Sequence, residues 1–285
     1  MTKVVYTSEA DRFRWGQVLP WRILAELLRH KHLIATITER EFRATYQASH
    51  LGLAWQVMLP VIMLSIFYFV FGQILGGRFS PNTTETPVDF ALALFVGLGF
   101  FNFVSQNIGT APSLITSNVT YVKSLSFPLE VLSVTSVLSA SVSLLVGLLL
   151  TCVVFLAAHQ QLHASTVVLP LYVGFTVLIA LGLSWGLSSL AVFVRDVSAV
   201  TTPLTLILMF MCPIFYPASM VPKKIEWVIH LNPLAVIIED ARACLLYGVW
   251  PSVLSLATLF AVSTVVATVG YVFFVRTKAS FADVM

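Results

Sequence analysis

The sequence contains few charged residues. Only 10% of its 285 residues are Asp, Glu, Lys or Arg, whereas a soluble domain carries about 25%. Long stretches have none, namely residues 90–122, 131–194, 197–222 and 243–275. With 58% hydrophobic residues and a mean hydropathy of +0.91, such a chain would expose large apolar areas to water. This composition excludes a soluble globular protein and indicates a protein that crosses a membrane several times.

Several sequence motifs of nucleotide-binding, metal and dinucleotide sites are also missing. No glycine is followed by lysine, so the phosphate-binding GxxxxGK[ST] loop is absent, and so are HExxH and GxGxxG. The three cysteines lie far apart without CxxC spacing, which is typical of small core residues. His159 and His163 are interpreted as solvated loop residues. The sequence therefore predicts no catalytic residue, no metal site and no cofactor held by this chain.

A nucleic-acid partner and a cleavable leader are not expected either. The net charge of +3 is small, and the cations concentrate near the N-terminus, so no basic surface for nucleic acid is predicted. The first 50 residues contain no apolar core of the length that a signal peptide needs.

Apolar stretches long enough to cross a bilayer are what the sequence does contain. A spanning helix needs about 20 residues to cross roughly 30 Å of hydrocarbon. Five stretches reach this length: 53–75, 90–108, 131–158, 167–194 and 250–275. A sixth, 199–216, is marginal because Pro203 and Pro213 lie near its ends. We therefore predict an all-α polytopic membrane protein with six transmembrane helices.

The segment 213–247 has a different pattern, in which prolines and charges alternate with short apolar runs. Irregular backbone at membrane depth is stable only where protein or water covers it. We predict a re-entrant helical hairpin between spans five and six that forms an outer gate. Its candidate gate residues are Pro213, Pro217, Pro233, Glu239, Asp240 and Arg242. The alternative is a surface loop with one amphipathic helix.

The distribution of cations predicts the orientation. With six spans, both termini and the loops 109–130 and 195–198 share one side, which carries 12 of the 16 Lys and Arg residues. Cations favour the cytoplasmic side, so both termini are predicted to be cytoplasmic. An amphipathic helix that starts at Pro20 is predicted to lie at the membrane interface in contact with lipids, or alternatively to dock on protein. The predicted organisation is a cytoplasmic segment 1–52, a membrane domain 53–275 and a cytoplasmic tail 276–285.

Three short motifs outside the apolar stretches carry a family resemblance. The first is Arg-x-x-Tyr-x-x-Ser-x-Leu-Gly-x-x-Trp, from Arg43 to Trp55. The second is Lys-x-x-x-Phe-Pro-x-Glu from Lys123, and the third is Arg195-Asp196 followed by Pro-x-Phe-Tyr from Pro213. In this order, the motifs resemble the permease subunits of ABC transporters that export O-antigen, capsule or teichoic acid. The likeness covers roughly residues 35–280.

The family pattern before the first span often reads Arg-Asp-x-x-x-Arg-Tyr. Here Glu41 stands at the acidic position, and Thr45 precedes Tyr46. The basic and aromatic character of the segment remains.

The resemblance implies a homodimer in the bacterial inner membrane that exports a lipid-linked polysaccharide. Energy would come from a separate ABC ATPase that binds ATP and Mg, which agrees with the missing phosphate loop. By the same resemblance, residues near the first span and in the loop between spans two and three contact that ATPase. These ATPase-coupling candidates are Arg40, Arg43, Lys123, Phe127, Pro128 and Glu130. On the residues alone, an ordinary turn before the third span is the preferred interpretation of Phe127-Pro128.

A transported sugar chain would slide over aromatic rings, and 12% of the residues are aromatic. The candidate channel residues are Tyr68, Phe71, Phe100, Phe101, Asn102, Phe103, Phe215 and Tyr216. For each aromatic, packing against helices or lipid is the structural alternative. Two other functions stay open: export of a small hydrophobic drug or lipid, and a membrane-embedded glycosyl or acyl transferase, for which Glu239-Asp240 would be the nearest acidic pair.

Overall fold

The computed structural model describes residues 20–46, 50–76, 85–123 and 127–284. Within these ranges the regular structure is entirely helical, which confirms the all-α prediction. The N-terminal residues 1–19, predicted to begin the cytoplasmic segment, lie outside the described residues.

Twelve α-helices occur in the described ranges, and several of them are extended by 3-10 or π turns. They are α1 Pro20–Arg29, α2 Lys31–Tyr46, α3 Trp55–Phe67, α4 Pro87–Thr116, α5 Val119–Val122, α6 Glu130–His159, α7 Leu169–Phe193, α8 Val197–Met211, α9 Glu226–Leu231, α10 Pro233–Leu246, α11 Val253–Thr277 and α12 Phe281–Val284.

Among the described residues, five helical stretches are long and apolar enough to cross a membrane. They are Gly52–Ile74, Pro87–Thr116, Glu130–His159, Ala164–Phe193 and Val253–Ser280, and they match the five longer spans predicted from the sequence. The marginal sixth stretch, 199–216, contains only the 15 residues of α8, which extend about 22 Å. The helix ends at Met211 because Cys212 is extended before Pro213, and a residue before proline disfavours the helical conformation.

Capping residues explain several helix starts. The Thr86 hydroxyl accepts a hydrogen bond from the Asp89 backbone N–H, and the Asp89 carboxylate accepts one from the Thr86 backbone N–H, which forms a capping box ahead of α4. Asn232 caps α10, whose first residue is Pro233. The Ser252 hydroxyl accepts from the backbone N–H of Ser255 at the start of α11. These polar residues therefore fix where the helices α4, α10 and α11 begin.

The helices α7 and α11 run parallel and in direct contact. Residue numbers rise together along the pair, as the ring contacts of Phe175 with Phe260 and of Trp185 with Tyr271 show. Beyond α11, Phe193 at the end of α7 contacts Phe281 of α12. Near the middle the backbones touch at Gly182 and Gly270, where a side chain on either residue would collide with the other helix. Two parallel helices require the chain between them to return to the starting end. Residues 194–252 therefore travel from the end of α7 back to the opposite end of the bundle.

The helix α4 is the centre of the bundle. It packs against α6, α7, α8 and α10, and 67% of its most apolar 18 residues are buried. The corresponding share is 11% for Gly52–Ile74 and 17% for Val253–Ser280. These outer helices therefore present broad apolar surfaces to lipid or to another chain.

Candidate functional site

The predicted ATPase-coupling residues lie on α2, at the end of α5 and at the entry to α6, at the same end of the bundle. Arg40 and Arg43 are exposed on α2, and Arg43 forms an ion pair with Glu39 at 2.7 Å between Nη2 and Oε1. Lys123 is exposed at the end of α5, whereas Phe127, Pro128 and Glu130 lead into α6.

The loop before α6 is braced against three other parts of the chain. The Phe127 ring stacks on Tyr121, with 4.4 Å between the centroids. Glu130 is buried and forms an ion pair with Lys278, with 2.5 Å between Oε1 and Nζ. The Trp185 indole N–H donates to the Glu130 carbonyl at 3.2 Å. These contacts join the loop and the first residue of α6 to α5, to α7 and to the segment that follows α11.

The helix α2 packs along α6, where its Ile34 and Ile37 are buried. Its Glu41 carboxylate accepts a hydrogen bond from the Thr135 hydroxyl at 3.3 Å, and burial raises the pKa of this carboxyl above its ordinary value. On α1, by contrast, Leu24 and Leu28 are each 58% exposed. The predicted amphipathic region thus docks on protein through α2, whereas Leu24 and Leu28 of α1 are exposed.

Among the predicted gate residues, Arg242 has the side chain with the most hydrogen bonds. Its fully buried guanidinium donates to three backbone carbonyls, those of Ala93 at 2.6 Å, Pro213 at 2.5 Å and Ile214 at 2.8 Å. Gly97 leaves the space for it, since a Cβ there would collide with Nη2. This one side chain therefore ties α10 and the segment after α8 to the central helix α4.

The other predicted gate residues belong to the same compact region. Asp240 accepts a hydrogen bond from the Ser255 hydroxyl at 2.6 Å, and the Glu239 carboxylate is hydrogen-bonded to the backbone of Ala218. Pro217 precedes the turn Ala218–Met220, and Pro233 starts α10. The structure thus brings all six residues together around α10.

The predicted channel residues do not share one surface within a single chain. Phe100 and Phe101 are buried in the bundle, whereas Asn102 and Phe103 line a groove of about 540 Å³ between α3, α4 and α6. Tyr68 and Phe215 are each 40% exposed. The remaining two have local contacts: Phe71 packs edge-on against Phe67, and the Tyr216 hydroxyl donates to the Phe210 carbonyl at 2.8 Å.

A polar cluster at the opposite end of α4 was missed from the sequence. Asp89 and His159 are paired at 2.7 Å between Oδ1 and Nε2, and the Tyr247 hydroxyl donates to Glu85 at 2.5 Å. These groups and His163 surround a cavity of about 180 Å³. The interpretation of both histidines as solvated loop residues is therefore wrong for His159. The Thr-x-x-Asp capping pattern marked Asp89 in the sequence, but no local pattern links it to a residue 70 positions later.

The cluster does not form a metal centre. Across the residues that the structure describes, no three His, Cys, Asp or Glu side chains are placed to hold a metal ion. Asp89 and His159 act instead as a clamp between the start of α4 and the end of α6.

Replacing Asp89 with alanine is expected to lower the free energy of unfolding by about 1–2 kcal/mol, because it removes a helix cap and a partly buried hydrogen bond to His159. In the Asp89→Ala background, His159→Ala should cost much less than it does alone. Thermal unfolding in detergent measures both effects. The control is Glu226→Ala, which removes an exposed carboxylate 3.7 Å from His230 and should change stability by less than about 0.5 kcal/mol. Additive losses at Asp89 and His159 would refute the clamp.

Comparison with known proteins extends over nearly the whole chain. A family profile described as ABC-2 type transporter matches residues 32–246. An O-antigen export system permease protein RfbA of Klebsiella pneumoniae is 27% identical over 256 residues, which are 89% of this chain and 95% of that protein. A second Klebsiella pneumoniae protein of that name is 25% identical over 255 residues, again 89% and 95%. One from Myxococcus xanthus is 24% identical over 264 residues, 92% of this chain and 98% of that protein.

Proposed function

The chain belongs to the ABC-2 type transporter family, and from this membership we propose that it is the permease subunit of an exporter of lipid-linked polysaccharide. The cargo would move from the cytoplasm across the inner membrane through a channel between two copies of the chain. The observation that carries this proposal is the similarity, over 89–92% of the chain, to permeases named for O-antigen export. The proposed cargo class is therefore an O-antigen-like, capsule-like or teichoic-acid-like glycan.

Energy for export would come from ATP hydrolysis on a separate ABC ATPase. The chain contains no phosphate-binding loop of its own, so ATP and Mg would be bound by that partner. The exposed cations Arg40, Arg43 and Lys123 would contact the ATPase, and the Phe127-Pro128 turn, fixed by the stacking of Phe127 on Tyr121, would transmit its movement. Glu130 would not contact the ATPase itself, but its ion pair with Lys278 would hold the start of α6 in place.

Six membrane crossings with both termini in the cytoplasm remain the proposed topology. The parallel arrangement of α7 and α11 supports this topology, because residues 194–252 would then cross the bilayer once. The helix α8 begins this crossing, and its end at Cys212 lies beside Asn232, where α10 begins, with 3.4 Å between Sγ and Nδ2. The helix α10 would complete it, since its far end at Tyr247 reaches Glu85 just before α4.

The same contacts support the re-entrant hairpin of α9 and α10. A surface loop would leave α10 exposed, yet Ile237, Ile238 and Arg242 are buried against the bundle. Arg242 holds this hairpin to α4 at Ala93, six residues into the helix, which is roughly 9 Å from its start. We propose that the hairpin is the outer gate and that the exposed aromatics Tyr68 and Phe215 face the channel in the homodimer.

Charge reversal at the cytoplasmic face tests the ATPase contact. The double variant Arg40→Glu/Arg43→Glu is expected to reduce co-purification of the ATPase at least tenfold, because exposed cations set electrostatic complementarity at an interface. The matched control is Arg29→Glu, which changes an exposed cation on α1 that pairs with Glu26. Equal recovery of the ATPase with all three proteins would show that α2 does not contact it.

The proposed function is tested by purifying the chain in mild detergent from its own host and identifying the proteins and glycolipids that accompany it. A stoichiometric ABC ATPase together with a sugar-bearing lipid is the expected result. The purified pair should then move that glycolipid across vesicle membranes only when ATP is supplied. An ATPase that transports small hydrophobic compounds and no glycan would overturn the proposal in favour of a drug or lipid exporter.

A further inference from the structure

A cleft on the outside of the bundle separates the helix pair α1–α2 from the first part of α6. This α2–α6 cleft encloses about 530 Å³, and eight of the eleven described residues that line it are apolar. Ile34 and Val134 are buried at its floor, whereas Leu28 at its rim is 58% exposed. The cleft is therefore open to its surroundings and offers an apolar surface to a ligand.

The charged residues of the α2–α6 cleft leave it positive. Lys31 lines the cleft and is exposed, and within the described part of the chain it forms no ion pair. Glu39 also lines the cleft, but its carboxylate is paired with Arg43, with 2.7 Å between Oε1 and Nη2. Among the described residues, the cleft thus combines an uncompensated cation with an apolar surface, and an anionic amphiphile complements both.

The two ends of the cleft lie at different heights along α6. At one end, Leu27 also lines a cavity with Val131, the second residue of α6. At the other end, Phe42 also lines a cavity with Ser143, which lies 12 residues further along α6. Twelve residues of helix rise about 18 Å. Lys31, one turn after Leu27, therefore lies at the end nearer to the start of α6.

The first membrane span begins beside the Phe42 end of the cleft. The Gln56 amide donates to the Ser143 hydroxyl at 3.0 Å, and Gln56 is the fifth residue of the apolar stretch Gly52–Ile74. The cleft therefore extends from the edge of the hydrocarbon region into the headgroup layer, which is about 5–8 Å thick on each side of a bilayer. In the proposed topology this is the cytoplasmic side.

This depth fixes how a lipid would lie in the cleft. Its acyl chain would enter the hydrocarbon region at the Phe42 end, and its phosphate would point towards Lys31. The lysine stem can lie along the apolar surface and bring its ammonium group to the phosphate. A phosphatidylethanolamine would bind less well, because the ammonium group of its own head offsets the phosphate charge.

We propose that the α2–α6 cleft binds an anionic phospholipid of the cytoplasmic leaflet, with its phosphate at Lys31 and its acyl chain against Val134 and Leu138. The inference rests on the proposed topology and goes beyond the proposed function, since this lipid is not the cargo. The bound lipid would fill the space between α2 and α6. It would thereby stabilise the position of α2, the helix that carries the proposed ATPase contacts Arg40 and Arg43.

Photolabelling of the full chain in phosphatidylcholine nanodiscs tests the site. The probes are phosphatidylglycerol and phosphatidylethanolamine with the same diazirine-bearing acyl chain, and peptide mass spectrometry maps the labels. Phosphatidylglycerol is expected to label the cleft faces of α2 and α6 at least fivefold more than phosphatidylethanolamine, because a lysine near the membrane surface attracts an anionic head. This comparison uses the parental chain, so it does not depend on whether a variant folds.

Two pairs of variants test the charge and the cleft separately. Lys31→Gln should lower the phosphatidylglycerol label to the phosphatidylethanolamine level, whereas Arg22→Gln changes an exposed cation of α1 outside the cleft lining and should leave it unchanged. Ala35→Trp should reduce labelling by both probes at least fivefold, because the indole would fill the cleft. Its matched control is Ala44→Trp, at an exposed position of α2 that does not line the cleft.

Three results would overturn the inference. The first is equal labelling by the two probes, and the second is labelling spread evenly over the outer helices α3 and α11. The third is displacement of the label by the co-purified glycolipid but not by excess unlabelled phosphatidylglycerol, which would assign the cleft to the cargo. Labelling requires neither cargo nor ATP, so its failure would leave the proposed export function standing. Conversely, a parental complex that moves no glycan would leave the lipid site unaffected.

Discussion

Replacing Gly270 with leucine is expected to separate α7 from α11 and to abolish recovery of the folded protein. A Cβ at this position would collide with the carbonyl oxygen of Gly182, which is backbone and cannot rotate away. Overpacking that flexible side chains can absorb costs about 1–3 kcal/mol, so we expect a loss of more than about 3 kcal/mol here. Small residues at such a crossing let helix backbones approach closely in membranes. The measurement is the monodisperse fraction in size-exclusion chromatography after mild heating.

The same helix pair offers a matched control. Gly186 also lies on α7, but a Cβ there would meet nothing within 4 Å. Gly186→Leu should therefore elute and unfold like the parental protein, although it introduces the same side chain one turn from Gly182. Normal folding of Gly270→Leu would contradict the close parallel packing, and with it the argument that residues 194–252 recross the bundle.

Replacing Arg242 with methionine is expected to release the segment after α8 from the bundle. The carbonyls of Pro213 and Ile214 would lose their donor in a buried site, and each unsatisfied buried polar group costs about 1–3 kcal/mol. We expect a loss of about 3 kcal/mol or more, which differential scanning fluorimetry in detergent would show as a lower unfolding temperature. Lys224→Met is the control, because it removes an exposed cation from the same inter-helix segment.

A double-mutant cycle tests whether the Arg242 guanidinium lies beside α4 and bonds the three carbonyls, or whether the substitution acts only by removing a charge. Gly97→Ala should destabilise the parental protein strongly, because the new Cβ would collide with the Arg242 guanidinium. In the Arg242→Ala background the same substitution has room and should be nearly neutral. The coupling energy between the two positions is therefore expected to exceed about 1 kcal/mol. Independent effects would mean that the guanidinium does not occupy the space beside α4.

The long spans could be predicted from the sequence because their signal is local. A run of about 20 apolar residues has one stable arrangement in a bilayer, a helix whose backbone groups pair within the run. All five longer runs are helical in the structure. The marginal stretch at 199–216 was harder to assign, since Pro213 shortens α8 to 15 residues. Whether α8 takes part in a crossing depends on what the segment after it contacts.

The sequence predicted the candidate site only in part. Arg242 stood out there as a charge near long apolar runs, and proline spacing marked the hairpin around it, but its three carbonyl partners come from α4 and from the end of α8. Asp89 and His159 are likewise 70 residues apart. Which of the predicted aromatics are exposed also depends on helix rotation, since Phe100 is fully buried whereas Asn102, two residues later, lines the groove.

The sequence by itself determined that this is an all-helical membrane protein, where its long helices lie and which transporter family it resembles, because these properties follow from composition, from runs of neighbouring residues and from short motifs. Only the tertiary structure decided that α7 and α11 run parallel, that Arg242 ties α10 to the central helix, and that a groove lies between α3, α4 and α6. The physical reason is that these features are contacts between residues far apart in the chain, and a hydrophobic pattern specifies that a face is buried without specifying against what.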